Sequence, residues 1–233
     1  MKIIFKELSE YKLLLRKVPS LVVTVFVLSV VIMNLLANKE LINTPYLALD
    51  CGTLFSWIPF LCMDMVCKHF GPRAASKLSI LAIFINLIVV LMFKIVSLTP
   101  GMWGEYYTTG SYLVNTSLNN TIGGCYYVVL GSCVAMLVSS LVNTQLNAFI
   151  GLHLKNNNFC DFAVRSYTST IVAQFVDNTI FSTIVSHAFF GWTLKQVLIC
   201  AITNALFELL WEILISPIGY KITKQWEKEG LPS

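Results

Sequence analysis

The chain has 233 residues, of which 56% are hydrophobic and only 12% charged, with a formal net charge of +4. Soluble domains carry about 25% charged residues, so this composition excludes a water-facing globule and makes lipid the solvent for most of the chain. The charge is modest, and no nucleic-acid partner is expected.

Residues 1–17, MKIIFKELSEYKLLLRK, mix charge with apolar residues and read as a short amphipathic lead-in. They lack the apolar run and small-residue cleavage site of a secretory signal. Six apolar runs follow, at 18–37, 46–67, 77–97, 123–150, 167–190 and 195–220. Each reaches the ~20 residues that cross hydrocarbon as a helix. The expectation is a single all-α transmembrane domain over 1–233, polytopic with six transmembrane helices and a cytoplasmic tail at 223–233.

Basic residues set its orientation. Lys2, Lys6, Lys12, Arg16 and Lys17 precede the first run, and Lys68, Arg73 and Lys77 lie between the second and third. Lys155 and Arg165 lie between the fourth and fifth, and Lys221, Lys224 and Lys228 follow the sixth. The other side holds only Lys39, Lys94 and Lys195. The positive-inside rule then puts both termini in the cytoplasm.

The outward segment 98–122 is rich in Gly, Thr, Asn and Tyr and contains no Lys or Arg. It reads either as a solvated connector or as a lid over an outward-facing cavity, with Trp103, Tyr106 and Tyr107 at the interface. Asn115 and Asn119 begin sequons. Pro59 and Pro217 fall inside the second and sixth runs, where each removes a helix hydrogen bond. Each lies five residues from an acid, so it either opens room for a ligand or serves packing. Gly71-Pro72 ends the second helix.

Cysteines at 51, 62, 67, 125, 133, 160 and 200 are odd in number and form no C-x-x-C pair. They read as small apolar fillers. His69, His153 and His187 have no ligand spacing, and no nucleotide-binding or hydrolase motif occurs, so no metal, cofactor or catalytic site is expected.

Acids inside the apolar runs carry the functional signal. A carboxylate at mid-membrane costs about 2.5–3.5 kcal/mol on insertion scales, and such groups mark ligand or ion pathways. In the fifth run Thr170, Gln174, Asp177 and Phe181 are spaced by four, three and four and share one helical face, with Asn178 beside it. This face is either helix-joining glue or a binding surface, and the Asp favours binding. In the sixth run Glu208 and Glu212 are one turn apart, next to Trp211. Two acids so placed repel if both are ionised, which suits a proton relay or a proton-coupled binding site. In the second run Asp64 stands four residues before Lys68, so an intrahelical ion pair competes with a role in binding.

Three segments together resemble the queuosine precursor transporters of the vitamin-uptake group: DMVCKHFG after the second run, AQFVDNTIF in the fifth and EILISPIGY in the sixth. The resemblance covers about residues 20–222 in the same six-span order. It implies inward transport of 7-deazaguanine bases, such as queuine or its cyano and aminomethyl precursors, across a bacterial plasma membrane for tRNA modification. It also implies kinship with the substrate-binding subunits of energy-coupling-factor importers. Asp64, Gln174, Asp177 and Glu212 match characteristic family positions, whereas many relatives would carry Lys where this chain has Glu208.

The residue chemistry suits such a cargo. A carboxylate accepts the paired N–H donors of a guanine-like edge, and Gln174 both gives and accepts. Trp211, Phe175 and Phe181 offer stacking faces. The expected substrate-binding residues are therefore Asp64, Gln174, Asp177, Asn178, Glu208, Trp211 and Glu212. The expected partners are a small purine-like molecule, the lipid bilayer, and either an energising ATPase module or further copies of the chain. As an alternative, the chain is the binding subunit of an ATP-driven importer. The absence of an A-x-x-x-A pattern from the first run weighs against that. An intramembrane enzyme would need a His, Ser or Cys constellation beside the acids, and a structural adaptor would not need buried acids.

Overall fold

The computed structural model describes residues 16–154 and 158–231. Most of the lead-in, Lys155 and the last two residues of the tail lie outside the described residues. Helix α1 spans Ser20–Leu36 and is followed by strands β1 (Glu40–Asn43) and β2 (Ala48–Asp50) and a 3-10 turn at Cys51–Leu54. Then come α2 (Trp57–Phe70), α3 (Pro72–Leu98), α4 (Gly104–Thr109), α5 (Tyr112–Gly124), α6 (Tyr126–His153) and α7 (Phe159–Phe181). A π-helical turn at Ser182–His187, the short α8 (Ala188–Phe190) and α9 (Leu194–Lys228) complete the chain.

The burial pattern is inverted relative to a soluble protein. Asp64, Gln174 and Glu212 are 0% exposed, while Leu21 is 73% and Phe84 61% exposed. Large apolar side chains such as Ile80, Ile88, Leu91, Leu206 and Leu214 also face outward. Water outside would penalise this arrangement at about 25 cal/mol per Å² of apolar surface, and a hydrocarbon exterior removes the penalty. Pro72–Leu98, the run Tyr112–His153 and Leu194–Lys228 are long and apolar enough to cross a membrane by themselves. Of the other expected spans, α1 has 17 residues and α2 only 14. α7 has 23 residues, but its core face is polar.

α7 lies at the centre, packed between α6 and α9, and α2 packs on α9, α3 and α6. Phe26 and Val30 of α1, Met63 and Val66 of α2, and Leu78 of α3 form the apolar core. Ala74, Ala75 and Ala82 are 0% exposed and let α3 approach closely. Gly131 of α6 serves the same end against the π-helical turn, where a Cβ would meet Val185 Cγ2 at 2.4 Å.

The structure departs from the sequence reading in three places. The second apolar run does not begin as a helix at 46. Its first residues form β2 and the 3-10 turn, because Asp50 caps that turn through Gly52 N (2.7 Å). Gly52 is required there, since a Cβ would meet Met33 O of α1 at 2.6 Å. Pro59 consequently falls in the first turn of α2, where its missing N–H has no intrahelical partner to lose.

Segment 98–122 is helical rather than a bare connector, and α5 packs on α3. Trp103 ties the segment together, its backbone N donating to Asn115 Oδ1 (2.8 Å) and its indole Nε1 to Asn119 Oδ1 (2.7 Å). The sequon amides are therefore engaged within the segment. The third departure is at Pro217, which interrupts α9 without leaving its acceptor bare. Ser216 Oγ donates to Ile213 O (3.2 Å), the carbonyl that a residue-217 N–H would have used. The Gly71-Pro72 stop is as expected, with Gly71 at φ 84° and Pro72 opening α3.

Candidate functional site: two buried polar centres

α7 presents Ser166, Thr170, Gln174 and Asn178 inward at helical spacing, and α9 presents Glu208 and Glu212. Because 1.5 Å of rise separates successive residues, the α7 row covers about 18 Å of depth. The row meets a different acid at each end, which divides the polar interior into two centres.

The first centre borders a cavity of ≈ 40 Å³. It is built by the end of α1, the 3-10 turn, α6, α7 and α9, with Asn34, Asp50, Thr53, Ser56, Ser132, Asp177, Asn178, Phe181 and Glu208 in its wall. That volume holds a few water molecules, and a flat bicyclic molecule enters only when the wall gives. Glu208 is held at both oxygens. Ser56 Oγ donates to Oε1, and Asn178 Nδ2 donates to Oε2 (3.1 Å). Asn178 Oδ1 accepts from Asn204 Nδ2 (3.1 Å), and Asn204 Oδ1 accepts from Thr53 Oγ1 (3.4 Å).

Asp177 differs from Glu208. Ser139 Oγ donates to its Oδ1 (2.6 Å), while Oδ2 has no hydrogen-bond partner among the described residues. It therefore has an acceptor oxygen to offer. Among the described residues the wall contains three carboxyl groups and no Lys, Arg or His.

The second centre is fully buried. Asp64 Oδ1 accepts from Asn143 Nδ2 (2.7 Å) and Asn147 Nδ2 (3.1 Å) of α6. Its Oδ2 accepts from Ser166 Oγ (2.6 Å) and Thr170 Oγ1 (3.1 Å) of α7. Ser166 Oγ also touches Glu212 Oε1, and Glu212 Oε2 is buried without a partner. Asn147 Oδ1 accepts from Arg165 Nε (2.9 Å) and Nη2 (2.6 Å), which fixes which end of that amide faces Asp64.

The structure thus sorts the sequence-predicted residues. Asp177, Asn178 and Glu208 meet at the cavity. Asp64 and Glu212 meet each other in the second centre and do not border the cavity. Gln174 sits one turn from Thr170 and one from Asn178, with both amide atoms buried and unpartnered. Trp211 turns outward and stacks on Trp57, with ring centroids 6.0 Å apart. Phe175 is also exposed, so Phe181 alone of the proposed stacking rings borders the cavity. The Asp64–Lys68 ion pair does not form. Lys68 Nζ lies over the rings of Phe162 (5.1 Å) and Tyr220 (4.7 Å) instead.

Asp50, Thr53 and Ser56 were missed in the sequence because they sit at the head of an apolar run. Their signal was D-C-G-T, a capping acid followed by a Gly, which reads as a turn. Segment 98–122 lends nothing to the cavity wall. The β1–β2 hairpin does so through Asp50, and it is held to the start of α9 by Trp192 Nε1 donating to Glu40 Oε1 (3.1 Å) and Gln196 Nε2 donating to Thr44 O (3.0 Å).

A lipid-facing helical protein with polar residues turned inward around an acid-lined cleft has the build of a small-molecule carrier. Comparison with known families agrees. Residues 50–222 match the family described as "Putative vitamin uptake transporter", and the chain belongs to that family. No curated protein and no solved structure matches the chain.

Proposed function

We propose that this protein carries a queuosine precursor, a 7-deazaguanine base such as queuine or its cyano or aminomethyl precursor, inward across a bacterial plasma membrane to supply tRNA modification. The observation that carries the reading is a cavity wall with Asp50, Asp177 and Glu208 and, among the described residues, no basic side chain. Such a wall rejects anions and accepts a cargo rich in N–H donors. A guanine-like edge offers adjacent N–H and NH₂ groups, which one carboxylate receives side by side.

In this reading Asp177 takes that edge through its open oxygen, Glu208 takes a further donor, and Phe181 covers one face of the ring. Asn178 and Ser56 hold Glu208 in place. Gln174 lies behind the wall and reaches the cargo only as the cleft widens. The chain crosses the membrane six times with both termini in the cytoplasm, the short α2 completing its passage together with the turn and hairpin that precede it.

Two measurements test this. A thermal-shift panel of purine-like bases on the detergent-purified protein should give its largest rise with a 7-deazaguanine base, since a ligand that prefers the folded state raises the melting temperature. Uptake of labelled queuine by cells should depend on the protein and fall at least tenfold in Asp177→Ala at equal membrane abundance. No shift with any of these bases, or undiminished uptake in the variant, would retire the proposal.

A further inference from the structure

We propose that Asp64, Ser166 and Glu212 form a proton-binding site, separate from the cargo cavity, whose loading and unloading drives the transport cycle. The inference rests on the carrier reading above but uses different residues. Its basis is a count of hydrogens. The Ser166 hydroxyl has one hydrogen and lies against two carboxyl oxygens, Asp64 Oδ2 and Glu212 Oε1. With both acids ionised, one of these oxygen–oxygen contacts has no hydrogen in it, and two negative charges face a single buried hydroxyl. One added proton completes the set, with a carboxyl O–H donating to the serine while the serine donates to the other acid.

The surroundings select a proton over a metal ion. Asp64 accepts from N–H and O–H donors of Asn143, Asn147, Ser166 and Thr170, and the Asn147 N–H would point its hydrogen at any cation placed there. The Asn147 amide is locked in that orientation by Arg165. Of the ionisable groups on the packed elements, Cys67 faces both Asp64 and Arg165. Cys67 Sγ lies 3.6 Å from Thr144 O, Lys68 lies over two rings, and Tyr167 Oη lies 2.6 Å from Ser216 Oγ. Arg73 and Lys77 of α3 line a separate surface cleft, and α1 has no ionisable side chain. Arg165, half-buried at the start of α7, is the charged group joined to the site, through Asn147.

The site is placed to act on the cavity. Asp64, Ser166 and Glu212 come one each from α2, α7 and α9, and the same three helices lead to Ser56, Asn178 and Glu208 at the cavity. Glu212 Oε2 and both amide atoms of Gln174 are buried and unpartnered, so the space between the centres holds polar groups that change partners without breaking existing bonds. Loss of the proton drives the two acids apart and with them the helices that shape the cavity.

The test uses the full-length protein in proteoliposomes. Infrared absorption of protonated carboxyl groups is followed as pH is raised, first without cargo. A band should be lost in both Glu212→Gln and Asp64→Asn. Ser166→Ala, which keeps both acids, should move the pH midpoint of that band by a unit or more. A band unchanged in all three variants overturns the proposal.

Flux is then measured with labelled queuine as the probe. Glu212→Gln should keep queuine exchange between equal pools within about twofold of the parent, while accumulation driven by a pH gradient falls at least tenfold. Gradient-driven accumulation at the parent level in that variant overturns the proposal. The cargo assignment fails separately: a pH-sensitive band lost in both acid variants, with no queuine binding, upholds the proton site and rejects the base.

Discussion

Replacing Asp64 and Asp177 by alanine separates the two centres by what each change costs. Asp64→Ala strips the acceptor from four donors, Asn143, Asn147, Ser166 and Thr170, all buried. Hydrogen bonds between membrane helices average about 0.6 kcal/mol, so the four together are worth about 2.4 kcal/mol at the low end. At the ~1.5 kcal/mol usual for a bond to a charged acceptor, the loss is about 6 kcal/mol. Asp177→Ala removes one such bond, to Ser139, and costs about 0.6–1.5 kcal/mol.

The assay is equilibrium unfolding of the detergent-solubilised protein by SDS, read by tryptophan fluorescence, beside queuine uptake at matched abundance. Asp64→Ala should lose several times more stability than Asp177→Ala, and Asp177→Ala should lose uptake while remaining folded. Equal stability losses in the two variants would refute the division into a packed centre and a ligand-facing one.

Two further outcomes follow from packing. Gly131→Ala places a Cβ 2.4 Å from Val185 Cγ2 and should destabilise by about 1–3 kcal/mol in the same unfolding assay, with a neutral result contradicting the close approach of α6 to the π-helical turn. Ser216→Ala should cost about 1 kcal/mol where Pro217 is present and less in a Pro217→Ala background, where a backbone N–H serves Ile213 O; equal costs in a double-mutant cycle would show that the serine does not stand in for that bond.

The primary structure by itself settled the solvent of this protein and the burial of its acids. Composition requires lipid around it, and helical spacing puts Thr170, Gln174, Asp177 and Phe181 on one face, with Asn178 beside it, and Glu208 with Glu212 on another, because a period of 3.6 residues is a local property. The vitamin-uptake group was equally legible, since the resemblance was read from short runs such as AQFVDNTIF, and residues 50–222 match that family. What an acid bonds to is a different matter, because its partners are far away in sequence. Asp64 has Lys68 one turn away, yet it is bound by Asn143 and Ser166, 79 and 102 positions distant.

The outward turn of Trp211 likewise follows from rotation about the helix axis: about 100° separates it from Glu212, and only the packing of α9 on α7 decides which of the two faces inward. Asp50 reached the cavity because a turn stabilised by its own side chain, together with contacts to α1 and α9, outweighs the helical tendency of the apolar run it heads. Local pattern fixes which groups are withdrawn from lipid, and tertiary contact divides them between an acid-lined cavity and a centre closed around a pair of acids.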